Sequence, residues 1–166
     1  GKCLKHPQRE SLIYTFFSER EVAKIPDVPK ETPTQQIEKA AVIGCGTMGG
    51  GIAMNFLNVG IPVKSLEMNQ EALDRGFGVI KKNYDIQVQR GRMTADEVDQ
   101  RMALLSGTTE YEELKDADVI IEAIYENIDV KVEAFQKMEA VAKPGAILAS
   151  NTSVSYTHLR AHETFH

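Results

Sequence analysis

The 166-residue sequence contains no tryptophan, only two cysteines and no long apolar run. Cys3 and Cys45 match no disulfide framework and no metal-binding spacing, so a reduced, intracellular setting is expected. A transmembrane helix would need about 18 consecutive apolar residues, and the sequence has no such run. The chain also lacks a starting methionine and an apolar signal region after Gly1, which indicates a piece of a longer protein.

The sequence also has no excess of basic residues. The formal net charge is -5, and no basic stripe is present, so nothing predicts a nucleic-acid partner. A hydrophobic content of 42% and a charged content of 26% are typical of a soluble globular protein. The length allows one domain with a sizeable core, with or without an appendage.

The first 37 residues predict one helix followed by a linker. Apolar residues recur at helical spacing between about Pro7 and Ile25, and Pro26 ends the pattern. Residues 26–38 hold three prolines among polar residues, which is typical of an extended linker. The apolar face of the helix either docks on its own domain or belongs against a domain outside this sequence.

A glycine loop organises the next unit. The apolar run Lys39-Ala-Ala-Val-Ile43 leads into Gly44, Gly46 and Gly49, which have the G-x-G-x-x-G spacing of a dinucleotide-binding strand–turn–helix. The first glycine permits a tight turn, the second lets the backbone approach a pyrophosphate, and the third lets the helix pack closely. The helix N-terminus then offers unpaired N–H groups to the phosphates.

An acidic residue follows at the position where such folds bind the adenosine ribose. Pro62–Glu67 is predicted as a second strand, and Glu67 ends it 18 residues beyond Gly49. A carboxylate there would bond the ribose hydroxyls and repel a 2′-phosphate, which favours NAD over NADP. The alternative is an ordinary exposed acid at a helix entry.

The remaining chain alternates between helices and strands. Asn69 is predicted to cap a long helix, and Thr94 with Glu97 forms a capping box before a helix that includes Leu105. Residues 118–124 and 146–149 are predicted strands with polar residues at their carboxyl ends, and Glu122 inside the first would need a partner. This order predicts an α/β, Rossmann-type doubly wound parallel sheet.

Three stretches in this order resemble the NAD-binding domain of the L-3-hydroxyacyl-CoA dehydrogenase family. They are Val42-Ile-Gly-Cys-Gly-Thr-Met-Gly-Gly-Gly-Ile-Ala53, Ala117-Asp-Val-Ile-Ile-Glu-Ala-Ile-Tyr-Glu-Asn127 and Ala149-Ser-Asn-Thr-Ser153. Residues 11–26 are similar to the helix that joins the enoyl-CoA hydratase/isomerase part to the dehydrogenase part in multifunctional β-oxidation enzymes. The resemblance implies a connector over residues 1–37, an incomplete NAD-binding domain over 38–153 and a tail over 154–166.

The resemblance also implies which residues contact the cofactor. The loop glycines with Thr47 and Met48 would hold the pyrophosphate, and Glu67 the ribose. Contacts near the nicotinamide are implied for Ile124, Tyr125, Glu126, Lys131 and Ser153. Ser153 would also lie against the substrate hydroxyl. From the residues alone, Lys131 reads as a solvated first-turn lysine and Ser153 as a helix N-cap.

The family's catalytic histidine lies in a Gly-x-His-Phe-Phe segment, and neither this segment nor its glutamate partner is in the sequence. Residues 154–166 fit nothing in the family and suggest an artefact. His158, His162 and His166 have a spacing that can bind zinc on a helix, but no carboxylate base stands between the first two. We therefore expect no metal site and assign no catalytic residue.

The resemblance implies oxidation of L-3-hydroxyacyl-CoA to 3-oxoacyl-CoA with NAD as cofactor, in fatty-acid β-oxidation. The expected partners are the acyl-CoA substrate, an upstream hydratase/isomerase domain and a downstream C-terminal dehydrogenase domain. The expected compartment is the bacterial cytoplasm, or the peroxisome or mitochondrion of a eukaryote. This chain alone would be inactive. The alternative is a non-catalytic nucleotide-binding or interaction module.

Overall fold

The computed structural model describes residues 8–22, 24–25, 28–29 and 31–151. By its internal contacts the chain divides into two compact units, residues 1–35 and residues 36–166. The tail over 154–166 and Ser153 lie outside the described residues.

The described part of the first unit contains one helix, α1 (Gln8–Val22). It confirms the helix predicted near the N-terminus, although it ends at Val22 rather than near Ile25. None of the residues of α1 is buried, and its large apolar side chains Leu12, Phe16 and Phe17 are exposed.

The second unit is a five-stranded parallel sheet with helices on both faces. Its elements are β1 (Ala40–Ile43), α2 (Thr47–Asn58), β2 (Val63–Leu66), α3 (Gln70–Gln89), α4 (Ala95–Ala103), β3 (Leu105–Thr108), a 3-10 helix (Tyr111–Leu114), β4 (Val119–Glu122), α5 (Ile128–Val141) and β5 (Ile147–Ser150). The strand order is β3-β2-β1-β4-β5. The predicted doubly wound α/β sheet is confirmed.

β1 is buried on both faces because its side chains alternate between two cores. Ala40 and Val42 pack with α2 and α3 in one hydrophobic cluster, whereas Ala41 and Ile43 pack with the 3-10 helix and α5 in the other. Such two-sided burial explains why this strand is a continuous apolar run.

The strand order reverses between β1 and β4. From β1 the chain moves outward through β2 to β3, then returns to the other side of β1 as β4. In the sheet register Ile43 lies beside Leu66 of β2 and Glu122 of β4, so the segments after these three residues leave the sheet at one edge. This switch point is where open α/β sheets bind ligands.

One strand was not predicted, and one residue was misassigned. Leu105 begins β3, whereas the sequence pattern placed it in the preceding helix, and that prediction is wrong. The strand Leu105-Ser-Gly-Thr108 is polar, short and at the sheet edge, so it has no apolar run to reveal it. The two helices before it, α3 and α4, form the crossover from β2 to β3.

Both predicted helix caps are confirmed. The Asn69 side chain accepts a hydrogen bond from the backbone N–H of Ala72 at 2.9 Å at the start of α3. Thr94 and Glu97 form the reciprocal capping box at the start of α4. No helix within the described ranges has both the length and the apolar character needed to cross a membrane.

Candidate cofactor-binding site

The glycine loop turns sharply at Gly44, directly after β1. Gly44 has a φ of +95°, a backbone conformation that residues with a Cβ rarely adopt. A Cβ here would also lie 2.8 Å from the carbonyl oxygen of Ala123, on the segment that follows β4. Gly44 therefore lets the loop turn against the neighbouring strand end at the switch point.

Gly49 lets α2 begin directly against the loop. A Cβ on Gly49 would lie 1.8 Å from the carbonyl oxygen of Gly44 and 3.4 Å from Cγ1 of Val42. No larger residue fits there without moving the backbone. The packing roles predicted for the first and third glycines are thus met by the geometry.

The tip of the loop faces solvent. Gly46, Thr47 and Met48 are exposed, whereas Cys45 and Gly49 on either side are buried. Gly46 is the N-cap of α2, no described side chain caps this end, and a Cβ on Gly46 would meet no described atom within 4 Å. The first N–H groups of α2 are therefore available to bind an anion, and the positive end of the helix dipole would favour that binding.

Glu67 lies beside the loop at the end of β2. One of its carboxylate oxygens accepts a hydrogen bond from the backbone N–H of Cys45 at 2.6 Å, and the other accepts from the N–H of Met68 at 3.2 Å. The predicted ribose-binding acid is thus also bonded to the glycine loop, a contact that no sequence pattern indicated. The side chain is half-buried, so part of it remains accessible to solvent.

A buried polar cluster lies at the carboxyl ends of β4 and β5. Glu122 is fully buried, and its Oε1 accepts from Nζ of Lys131 at 2.7 Å and from the N–H of Ile124 at 2.8 Å. Its Oε2 accepts from Oγ of Ser150 at 2.6 Å. The partner that this acid was predicted to need is therefore Lys131, which is 5% exposed and not a solvated surface lysine.

The segment after β4 continues from the buried cluster to the surface. Ile124 is half-buried and packs on the core, whereas Tyr125 is 86% exposed and Glu126 is also exposed. Asn127 then caps α5 by accepting from the N–H of Val130 at 3.2 Å. This short segment brings Ile124 and Tyr125 to the edge where the glycine loop also lies.

The remaining candidate residues are not placed by the structure. Ser153 and the three histidines His158, His162 and His166 lie outside the described residues. Across residues 31–151 and the described parts before them, no group of three or more His, Cys, Asp or Glu side chains is arranged to hold a metal ion.

Comparison with known proteins identifies the domain. The family model described as "3-hydroxyacyl-CoA dehydrogenase, NAD binding domain" matches residues 39–163. The chain is 39% identical over 154 residues to the peroxisomal fatty acid beta-oxidation multifunctional protein MFP2 of Arabidopsis thaliana, which covers 92% of this chain and 21% of that protein. It is 36% identical over 160 residues to the fatty acid oxidation complex subunit alpha of Psychrobacter arcticus, covering 96% of this chain and 22% of that protein. The chain thus spans about a fifth of the length of these curated relatives.

Solved structures agree with this assignment. FadB2 of M. tuberculosis aligns with a TM-score of 0.70 at 36% identity, over 72% of this chain and 42% of that one. The (S)-3-hydroxybutyryl-CoA dehydrogenase PaaH1 of Ralstonia eutropha aligns with a TM-score of 0.72 at 32% identity, over 76% of this chain and 45% of that one.

Proposed function

This chain belongs to the 3-hydroxyacyl-CoA dehydrogenase family through its NAD-binding domain, and from this premise we propose that it binds NAD in the cleft between the glycine loop and the ends of β2 and β4. The observation that carries the proposal is the exposed loop tip. An uncapped helix N-terminus and the open space at Gly46 form a cradle for a pyrophosphate, and Glu67 stands beside it. The family model's description supports NAD as the dinucleotide.

Each half of the cofactor would have its own residues. The pyrophosphate lies at Gly46, Thr47 and Met48, and the adenosine ribose lies at Glu67. The nicotinamide half lies at the segment after β4, where Ile124, Tyr125 and Glu126 lead from the buried cluster to the surface. Lys131, which lies beneath this segment, and Ser153 complete the proposed set. Residues 38–153 would form this domain, residues 1–37 a connector and residues 154–166 a tail, although the family match extends to residue 163.

The reaction proposed for the longer protein is oxidation of an L-3-hydroxyacyl-CoA to the 3-oxoacyl-CoA. Bound NAD would supply the acceptor for the hydride from the hydroxyl-bearing carbon. A general base must take the hydroxyl proton from within hydrogen-bonding distance. No histidine is present among the described residues, and the sequence has no Gly-x-His-Phe-Phe segment. We therefore assign binding and orientation to this chain and proton removal to residues elsewhere in the longer protein.

The names of the relatives support the setting. Plant relatives are named peroxisomal or glyoxysomal multifunctional proteins, and bacterial relatives are named fatty acid oxidation complex subunits. We propose that the longer protein works in fatty-acid β-oxidation inside the cell, in a bacterial cytoplasm, a peroxisome or a mitochondrion. Its partners would be a hydratase/isomerase domain before this segment and a dehydrogenase C-terminal domain after it.

Two measurements on the 166-residue chain test this proposal. Calorimetric titration should show NAD binding at least about tenfold tighter than NADP binding, a difference of about 1.4 kcal/mol, because Glu67 faces the extra phosphate. Equal affinity would remove Glu67 from the ribose site, and no binding of either would overturn the proposal. Incubation with NAD and 3-hydroxybutyryl-CoA should form no NADH, and sustained turnover would contradict the assignment of the base to other residues.

A further inference from the structure

The fully buried carboxylate of Glu122 joins three segments at the cofactor edge. It ends β4, accepts the N–H of Ile124 in the following segment, accepts the Oγ of Ser150 at the end of β5 and holds the ammonium of Lys131 in the first turn of α5. Both members of the ion pair are removed from water, with 0% of Glu122 and 5% of Lys131 exposed.

Stability alone does not explain such a pair. Removing two charges from water is costly, and a buried ion pair replaced by apolar residues of similar volume is often as stable or more so. The adjoining positions Ile120 and Met138 are apolar and buried, so the same layers accept apolar side chains. We therefore look for a role of this pair that depends on its charges.

The pair lies directly beneath the segment proposed to receive the nicotinamide. Ile124 links the two because its N–H donates to Glu122 while its backbone leads into Tyr125 at the surface. A charge buried here acts through a medium of lower dielectric than water, and salt screens it weakly. The oxidised nicotinamide ring carries one positive charge and the reduced ring carries none, so the two forms respond differently to this charge.

We propose that the buried Glu122–Lys131 pair determines how strongly this site prefers one oxidation state of the nicotinamide over the other. This inference rests on the proposed NAD site. In the native pair the two charges balance at the ring. Without the carboxylate, the ammonium of Lys131 opposes the oxidised ring. Without the ammonium, the carboxylate favours it, since Ile124 and Ser150 still donate to that carboxylate.

The test compares dissociation constants for NAD⁺, NADH and ADP-ribose, which lacks the nicotinamide. For two charges about 10 Å apart in an effective dielectric of about 20, the interaction corresponds to roughly a tenfold change in affinity. Glu122→Gln should therefore weaken NAD⁺ relative to NADH by about tenfold, and Lys131→Met should shift the same ratio in the opposite direction. A tenfold change in this ratio equals a shift of about 30 mV in the potential of the bound two-electron couple.

Two further variants separate charge from packing. The double variant Glu122→Gln/Lys131→Met has no net charge change and should return the NAD⁺/NADH ratio to within about twofold of the native value. Glu133→Gln is the matched control, because it removes a carboxylate from an exposed pair with Lys137 on the same helix and should leave the ratio unchanged. ADP-ribose affinity should stay constant in Glu133→Gln.

The outcomes are distinct. Single variants that weaken the binding of NAD⁺ and NADH equally would indicate a structural role for the pair and overturn the inference. A double variant whose NAD⁺/NADH affinity ratio remains shifted would overturn it as well. If Glu122→Gln unfolds, Lys131→Met and the double variant still test the inference. Only a charge effect shifts the NAD⁺/NADH affinity ratio in Lys131→Met and leaves this ratio unchanged in the double variant. If the native chain binds NAD⁺ and NADH but these ratios do not move, this inference fails while the proposed function stands. Failure of the native chain to bind ADP-ribose overturns both.

Discussion

The carboxylate of Glu67 accepts a hydrogen bond from the backbone N–H of Cys45 at 2.6 Å. The acid at the end of β2 is therefore bonded to the same loop whose tip is proposed to hold the pyrophosphate. Glu67 thus holds the loop, and it is proposed to select the cofactor as well. The two roles can be separated because a neutral amide oxygen also accepts an N–H.

Two substitutions of Glu67 separate these roles. Glu67→Gln removes the charge but keeps an acceptor for Cys45, so NADP affinity should rise toward that of NAD while the free energy of unfolding stays nearly constant. Glu67→Ala removes both, and it should lower the free energy of unfolding by about 1 kcal/mol and weaken both cofactors. Calorimetry and urea unfolding measure the two effects. Equal loss of NAD affinity in both variants would contradict the separation.

The glycines of the loop should respond differently to substitution. Gly46→Ser adds a preferred N-cap residue where a Cβ meets no described atom, so the melting temperature should be maintained or raised. NAD affinity should fall by at least about tenfold, or about 1.4 kcal/mol, because the side chain enters the proposed pyrophosphate cradle. Gly49→Ala should instead prevent folding, since its Cβ would lie 1.8 Å from the Gly44 oxygen.

Gly78→Ala is the control for these loop variants. Gly78 lies within α3, and a Cβ there would meet no described atom within 4 Å. The change should raise the free energy of unfolding by about 1 kcal/mol through helix propensity and leave NAD affinity unchanged. Loss of NAD affinity in this variant would show that the assay reports general damage and not the loop.

Asp118 should make stability depend on pH. The ammonium of Lys143, followed by the N–H groups of Glu38 and Lys39, lowers the pKa of Asp118 from 3.8 to about 2. Because the pKa in the folded state is depressed, this stabilisation is complete above about pH 5 and is lost as the pH falls through 4 toward 2. Asp118→Asn should therefore lower the melting temperature at pH 7 and converge with the native protein near pH 2. A constant difference across this range would refute the assignment.

The thiol of Cys45 should react slowly at neutral pH. Burial raises its pKa, the hydroxyl of Ser65 lowers it, and the charge of Glu67 raises it further. In a Cys3→Ser background, alkylation by iodoacetamide should be slow at pH 7 and accelerate as the pH rises, because the thiolate is the reactive form. Adding Glu67→Gln should move this acceleration to lower pH. A profile that does not respond to Glu67→Gln would show that the two groups do not interact.

Much of the fold was predictable because its signals are local. The caps at Asn69 and Thr94 depend on residues within three positions of each other, and the central strands are apolar runs. Strand β3 was not predicted because Leu105-Ser-Gly-Thr108 is a polar edge strand without an apolar run. Its position depends on pairing with β2, which no local pattern encodes.

In the candidate site, too, the local features were predictable from sequence and the contacts between distant segments were not. The spacing of Gly44, Gly46 and Gly49 predicted a loop of this geometry, because the steric limits of a tight turn and a close helix act on neighbouring residues. Sequence also indicated that Glu122 needs a partner. That the partner is Lys131, with Ser150 on the other oxygen, required the strands to be assembled.

By itself the sequence determined the alternation of strands and helices, the glycine loop and the acid at Glu67, because periodicity, caps and turns act over a few residues. Only the tertiary structure decided that Gly44 lies against Ala123, that Glu67 holds the N–H of Cys45, and that Lys131 is buried against Glu122. The first two contacts join the ends of different strands, and the third joins β4 to the helix that follows it. They form where the parallel sheet brings the carboxyl ends of its strands to one edge.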